Sequence, residues 1–205
     1  MTEIRIYVEG GGQDNPSRRQ IRAGFNEFLG PIRNLARTQR IEWSVIPSGP
    51  RNAAFENFKL ALRTHPNAFN VLLVDSEETV SRPRWEHLRQ RDQWQTPSLP
   101  ETHCHFMVCT VEAWLIADPD ALAEYYGKGF RRGALPKHDD IEAVPKEQLY
   151  QSLDRATAET QKGKYKKIQH CADLLGRLNP DRVRRRASHC DLLFKTLESQ
   201  ISGSS

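Results

Sequence analysis

Three apolar runs in this sequence end in carboxylates. "IRIYVEGGG" delivers Glu9 and then Gly10, Gly11 and Gly12; "NVLLVDSEE" delivers Asp75 and Glu77; "HFMVCTVEAW" delivers Glu112. Carboxylates gathered within a few ångströms repel one another, and one keeps its proton unless a cation neutralises the group. Mg²⁺ (or Mn²⁺) suits them: a hard ion that takes one or two carboxylates, keeps water and accepts phosphate oxygens elsewhere. Asp75 and Glu77 stand two apart, so in a regular strand they share a face, and at a strand end both reach one ion. Glu9, on a neighbouring strand, is a further ligand or a general acid/base. The glycines after it leave the backbone open to a phosphate.

Each residue also has a plainer reading. Glu9 caps a turn or pairs with Arg5, and Asp75 and Glu77 are ordinary strand-exit carboxylates. Glu112 follows Thr110, an N-cap residue type, in a first helical turn whose dipole favours an acid. Asp118, before Pro119, caps the next helix. Other chemistries have weaker support. "EGGGQD" has neither the Gly-Lys-Ser/Thr ending of a P-loop nor the spacing of GxGxxG, so nucleotide hydrolysis by this chain alone is not expected. Among His103, Cys104, His105, Cys109, His170, Cys171, His189 and Cys190 no pair has C-x₂-C zinc spacing. No elbow motif supports a serine or cysteine nucleophile.

The elements that must position the acids follow from periodicity. Ile4, Ile6 and Val8 alternate as in a strand, and Asn15-Pro16 opens a helix over about Ser17–Thr38 that Gly30-Pro31 interrupts. "IEWSVI" is a second strand, Pro50–His65 a second helix, and "FNVLLVD" a central parallel strand covered on both faces. A short helix runs from Ser81-Arg82-Pro83 to about Trp94, and "HCHFMVCTV" is a fourth strand. A helix from Glu112 breaks at Asp118-Pro119, and a charged stretch covers Arg131–Pro145. Helices then fall around Lys146–Thr157, Tyr165–Leu178 and Asp181–Ser202, before a frayed "SGSS" tail. Such alternation makes an α/β fold: a central, mostly parallel four-stranded sheet flanked by helices. Ligands of such sheets bind outside the carboxyl ends of the strands, which places Glu9, Asp75, Glu77 and Glu112 on one rim. We divide the chain into an α/β domain, residues 1–128, and a helical extension, residues 129–205, packed on the same core.

The 205 residues suffice for one well-buried core, with 38 % apolar and 27 % charged residues. No stretch approaches 18 uncharged apolar residues, so no membrane span is expected. The N-terminus has no signal-peptide character and the four cysteines are scattered, which points to reduced thiols in the cytoplasm. The net charge of +4 is unevenly spread, with "GKYKK" and "RVRRR" basic. Lys164, Lys166, Lys167, Arg184, Arg185 and Arg186 are therefore candidate phosphate contacts, as are the backbones of Gly10 and Gly11. Tyr165 is a candidate base platform, whereas Trp85, Trp94 and Trp114 read as packing residues.

A glutamate closing the first strand before a Gly-rich turn, with an acid-x-acid pair closing the third, resembles the Toprim domain of topoisomerases, primases and overcoming-lysogenization-defect nucleases. That resemblance implies a Rossmann-like core, with Glu9 as general acid/base and Asp75 and Glu77 holding Mg²⁺. The family pair is usually Asp-x-Asp; here it is Asp75-Ser76-Glu77. The fuller pattern of "YVEGGG", "LLVDSE", "EAWLIAD" and "KYKK" is similar to a small bacterial Toprim-like family found beside AAA- or ABC-type ATPases in anti-phage defence systems. By that resemblance Glu112 and Lys164 join Glu9 as catalytic candidates, an ATPase is the partner protein, and DNA or RNA, tRNA included, is the substrate of a Mg²⁺-dependent nuclease. Two other functions compete: a catalytically degenerate module that docks on the ATPase, and a phosphatase of small phosphoesters.

Overall fold

The computed structural model describes residues 2–12 and 14–203. Ser204 and Ser205 of the expected frayed tail, and Gln13 of "EGGGQD", lie outside the described residues.

The first strand, β1 (Glu3–Val8), buries Ile4, Ile6 and Val8 completely. The next helix, α1 (Asn15–Phe28), starts on the Asp14 carboxylate, which accepts 2.8 Å bonds from the Ser17 amide and hydroxyl, with Pro16 in the first turn. The expected interruption falls at Leu29, and α2 (Gly30–Thr38) follows. After β2 (Glu42–Pro47) and α3 (Arg51–Thr64) comes β3 (Phe69–Asp75), every residue of which is buried. The remaining sheet elements are α4 (Arg84–Asp92) and β4 (Cys104–Met107). All four strands pair in parallel in the order β2-β1-β3-β4, with Ile6 level with both Val45 and Val71, and Val74 level with Phe106. This is a Rossmann-like α/β fold. Its carboxyl edge is formed by Val8, Pro47, Asp75 and Met107.

Several boundaries differ from the sequence reading. β4 stops at Met107 instead of running to Val111, because Cys109 adopts a left-handed φ of 58° and the Thr110 amide turns back to the Val108 carbonyl (2.7 Å). That turn feeds directly into α5 (Glu112–Ala117). α4 begins at Arg84, where Glu101 accepts the backbone amide at 2.6 Å. α5 and α6 (Pro119–Tyr126) are separate helices divided at Asp118, whose carboxylate accepts from the Ala121 amide at 3.4 Å and so takes the capping role. Beyond two 3₁₀ turns (Arg132–Ala134 and Ile141–Ala143) and α7 (Lys146–Thr157), α8 spans only Lys167–Leu175 and leaves Tyr165 outside. The long last helix divides at Ala187 into α9 (Pro180–Arg186) and α10 (Ser188–Ser202). Glu142 accepts the His189 amide there (3.1 Å) and serves the new helix start.

One apolar cluster includes residues from Ile4 to Ile201. Phe28 packs on Trp114 and Phe194, with ring centroids 5.3 and 5.6 Å away. Trp85 and Trp114 are buried, and Trp94 stacks on Phe55 at 4.2 Å, so all three pack as expected. α8 lies against α1 so closely that a Cβ on Gly24 would stand 2.5 Å from the Ala172 carbonyl oxygen. No described helix is long and apolar enough to cross a membrane.

Candidate metal centre

The end of β1 is pinned before the site begins. The Glu9 amide donates to the Leu73 carbonyl (3.0 Å), and Gly10 and Gly49 exchange two backbone bonds of 2.8 and 2.9 Å. Gly10, Gly11 and Gly12 take φ values of 120°, 86° and 55°, a run that L side chains avoid. At the end of β3, Ser76 is fully buried and its hydroxyl accepts the Cys109 amide at 2.7 Å. Glu77 then adopts a φ of 69°. Strand alternation therefore does not bring Asp75 and Glu77 together, as the sequence reading supposed; the left-handed residue does. Glu9, Asp75 and Glu77 each offer an oxygen within 4.8 Å of the others. Among the described residues no other group of three His, Cys, Asp or Glu side chains is so placed, which leaves the zinc candidates without a site.

Each acid also faces a base. Glu9 accepts from the Asp75 amide (3.2 Å) and lies 3.4 Å from Arg51 Nη1. Arg5, its alternative partner, is engaged by Glu3 and Tyr7 instead. Arg51 grips Asp92 through two bonds of 2.9 and 2.8 Å and donates to the Asp75 carbonyl. Asp75, 2 % exposed, accepts from the Val111 amide (2.9 Å), Lys167 Nζ (3.1 Å) and the Thr110 hydroxyl (3.3 Å). Glu112 has no exposed surface; the Tyr165 hydroxyl donates to it at 2.8 Å, Thr110 Oγ1 bridges it to Asp75, and Lys167 Nζ stands 3.5 Å away. Glu77 accepts from Lys146 Nζ at 2.5 Å, with Arg91 at 3.8 Å.

The electrostatics favour one more positive charge. Burial and then the neighbouring Asp75 carboxylate push Glu9 up to about 7, against the pull of Arg51. Burial also raises Asp75, and Lys167 opposes that rise. For Lys167 burial works against the ammonium, but Asp75 and Glu112 outweigh it and hold the group well above its ordinary value. A carboxyl that still carries a proton near neutrality, set in an all-oxygen donor group, fits a hard divalent cation that would displace the proton. The residues that would hold it are Glu9, Asp75 and Glu77.

Residues 8–198 match the family model described as "Domain of unknown function (DUF4276)". The chain belongs to that family. Comparison with curated proteins and with solved structures gave no match. The region matched to DUF4276 contains Glu9, the Asp75–Glu77 turn, Glu112 and Lys167, so the whole centre lies inside it.

Other expected site residues are placed differently in this DUF4276 chain. Lys164 is exposed and turned to Asp154 (3.7 Å); Lys167, at the start of α8, is the lysine that reaches the acids. Tyr165 is buried as a donor to Glu112 and offers no base platform. Arg184 is held by Asp191 (2.8 Å) and Glu198 (3.1 Å), and Arg186 donates to the carbonyls of Ile116, Ala117, Pro136 and His138. Neither is free for a phosphate, whereas Lys166 and Arg185 are exposed. Gly10 and Gly11 do line the cleft beside the acids. Arg51, Lys146 and Arg91 escaped the sequence reading. Only Arg51 carried a signal, since a base straight after β2 must sit on the carboxyl edge.

Proposed function

We propose that this protein is a Mg²⁺-dependent phosphodiesterase acting on nucleic acid. The observation that carries the reading is the meeting of Glu9, Asp75 and Glu77 oxygens within 4.8 Å at the carboxyl edge, beside an open glycine turn. The metal, when bound, would polarise the scissile phosphodiester and lower the pKa of a water. Glu9, with its proton balanced near pH 7, suits a residue that takes or gives a proton during the reaction. Lys167 holds Asp75, and its side chain, partly exposed, brings a positive charge to the edge of the cleft for an incoming phosphate oxygen. Arg51 fixes Glu9. Glu112 is buried away from any substrate and acts through Lys167 and Thr110, as a positioning residue. The Toprim resemblance, an ATPase partner, a cytoplasmic site of action and a role in phage defence belong to the same reading and rest on the sequence motifs.

A second reading, a docking module without catalysis, is favoured by one observation: each acid already has a cation, most closely Lys146 on Glu77 at 2.5 Å. Calorimetric titration of Mg²⁺ and Mn²⁺ separates the two. The wild type is expected to bind and the Asp75→Asn/Glu77→Gln variant is not, and metal-dependent cleavage of labelled DNA or RNA should be lost with Glu9→Gln. A folded wild type that binds neither ion, even with an oligonucleotide present, would leave the docking module as the function.

A further inference from the structure

The cleft beside the acids is larger and more apolar than a phosphate requires. It encloses about 360 Å³, at the low end of the range for small-molecule sites. Glu9, Asp75 and Lys167 stand on its polar side, while Ile21, Phe25, Met107 and Val111 form much of the remainder. α1 and α8 flank it. Ser17, Gln20 and Ile21 face it from one helix, and Lys167, Ile168 and Cys171 from the other. Ile168 is 84 % exposed at its lip, a large apolar side chain packed on almost nothing. Gln20, also at the lip, makes no side-chain hydrogen bond among the described residues, so its amide is free both to donate and to accept.

A backbone phosphate gains nothing from aliphatic walls, and an apolar surface left bare in water costs free energy. A group with a flat apolar face and polar edges gains from both features. We infer, on the basis of the nuclease reading above, that this cleft receives one unstacked nucleobase of a single-stranded polynucleotide, next to the phosphate to be cut. Ile21 and Ile168 flank the base above a buried floor that includes Phe25, Met107 and Val111, Gln20 meets its edge, and Lys167 and the glycine turn take the adjoining phosphate. Bases in a duplex keep their faces stacked, so only a single strand, a loop or an extruded nucleotide fits. The substrate class narrows to single-stranded segments and ends, without sequence readout beyond that one base.

Binding tests this apart from catalysis. The full chain is titrated, in EDTA and then in Mn²⁺, into an oligonucleotide carrying 2-aminopurine, whose fluorescence rises when the base leaves the stack. The single strand is expected to bind with a rise, a blunt duplex of the same sequence to bind more weakly and without one. Ile168→Asp puts a charge on the lip and removes no packing, so it should fold as the wild type does and weaken single-strand binding on the order of tenfold. Gln20→Ala should weaken it less. Equal affinity for both forms with unchanged fluorescence overturns the inference, as does binding of a mononucleotide but not an oligonucleotide, or binding indifferent to Ile168→Asp. Single-strand binding that shows the rise but no cleavage in Mg²⁺ or Mn²⁺ would sink the nuclease reading and leave the base-receiving cleft standing.

Discussion

Glu9→Gln examines the electrostatics and the chemistry of the centre in one substitution. The Glu9 side chain is 19 % exposed, and its pKa rises from 4.5 to about 7 through burial and the Asp75 charge. A folded pKa above the unfolded one means that the native state keeps a proton the unfolded chain has released. Stability therefore falls as pH rises from 4.5 to about 7. At 1.36 kcal/mol per unit, that rise costs the native state about 3 kcal/mol once Glu9 is ionised, and nothing below pH 4.5. Glutamine keeps the shape and removes the charge. The variant is expected to exceed wild type by about 1–3 kcal/mol at pH 8, the Arg51 attraction being already contained in the net rise, and to match it near pH 4.5. Urea unfolding at the two pH values reads the difference. Mg²⁺ at a hundred times its Kd should then add about 2.7 kcal/mol to the wild type alone, offsetting the variant's advantage while cleavage remains lost. A variant no more stable than wild type at pH 8 would refute the like-charge argument. Equal Mg²⁺ stabilisation of both proteins would refute Glu9 as a ligand.

Lys167→Met leaves Asp75 and Glu112 buried without their cation. Because the lysine side chain is 43 % exposed, the expected cost is about 1–3 kcal/mol rather than the larger loss of a fully buried pair. Urea unfolding should show that cost fully at pH 8 and shrinking on acidification, as Asp75, already raised by burial, takes up a proton. Lys164→Ala is expected to stay within about 0.5 kcal/mol and to leave metal binding unchanged by calorimetry. Arg186→Ala strips the donor from carbonyls of α5 and the following loops and should cost about 1–3 kcal/mol in unfolding experiments. It should not change oligonucleotide affinity, which separates it from a phosphate-binding arginine. Gly24→Ala forces a Cβ to 2.5 Å from the Ala172 carbonyl, so α8 must move. A loss of about 1–3 kcal/mol in thermal melts is expected.

The acidic rim is legible in the sequence because its parts are local. Alternation at Ile4, Ile6 and Val8 and the unbroken run from Phe69 to Asp75 dictate strands, and the edge rule for parallel sheets brings their ends together. What positions Glu77 is not local in that sense, since nothing in "DSEE" announces a left-handed residue held by the Cys109 carbonyl from a neighbouring loop. The basic runs mislead for a related reason: composition counts charges but not their partners. "RVRRR" lies on α9 with Arg184 engaged by Asp191 and Glu198 of the next helix and Arg186 by carbonyls from distant parts of the chain.

The choice among Lys164, Lys166 and Lys167 depends on where α8 begins, and that boundary is a tertiary fact. Gly163 turns the chain at a φ of 73°, the Lys166 amide donates to His170 Nδ1 at 3.1 Å, and the helix starts one residue later. Glu112 supplies the reason for that start. A carboxylate with no exposed surface must find a cation and donors or lose its charge. Tyr165, Thr110 and Lys167 meet that demand from two segments, and Tyr165 and Lys167 are the residues on either side of the boundary. The burial of Glu112 and the start of α8 are therefore one constraint. The residue that locks the C-terminal helices to the sheet edge also sets the ammonium beside Asp75, so a change that loosens this packing should loosen the site with it.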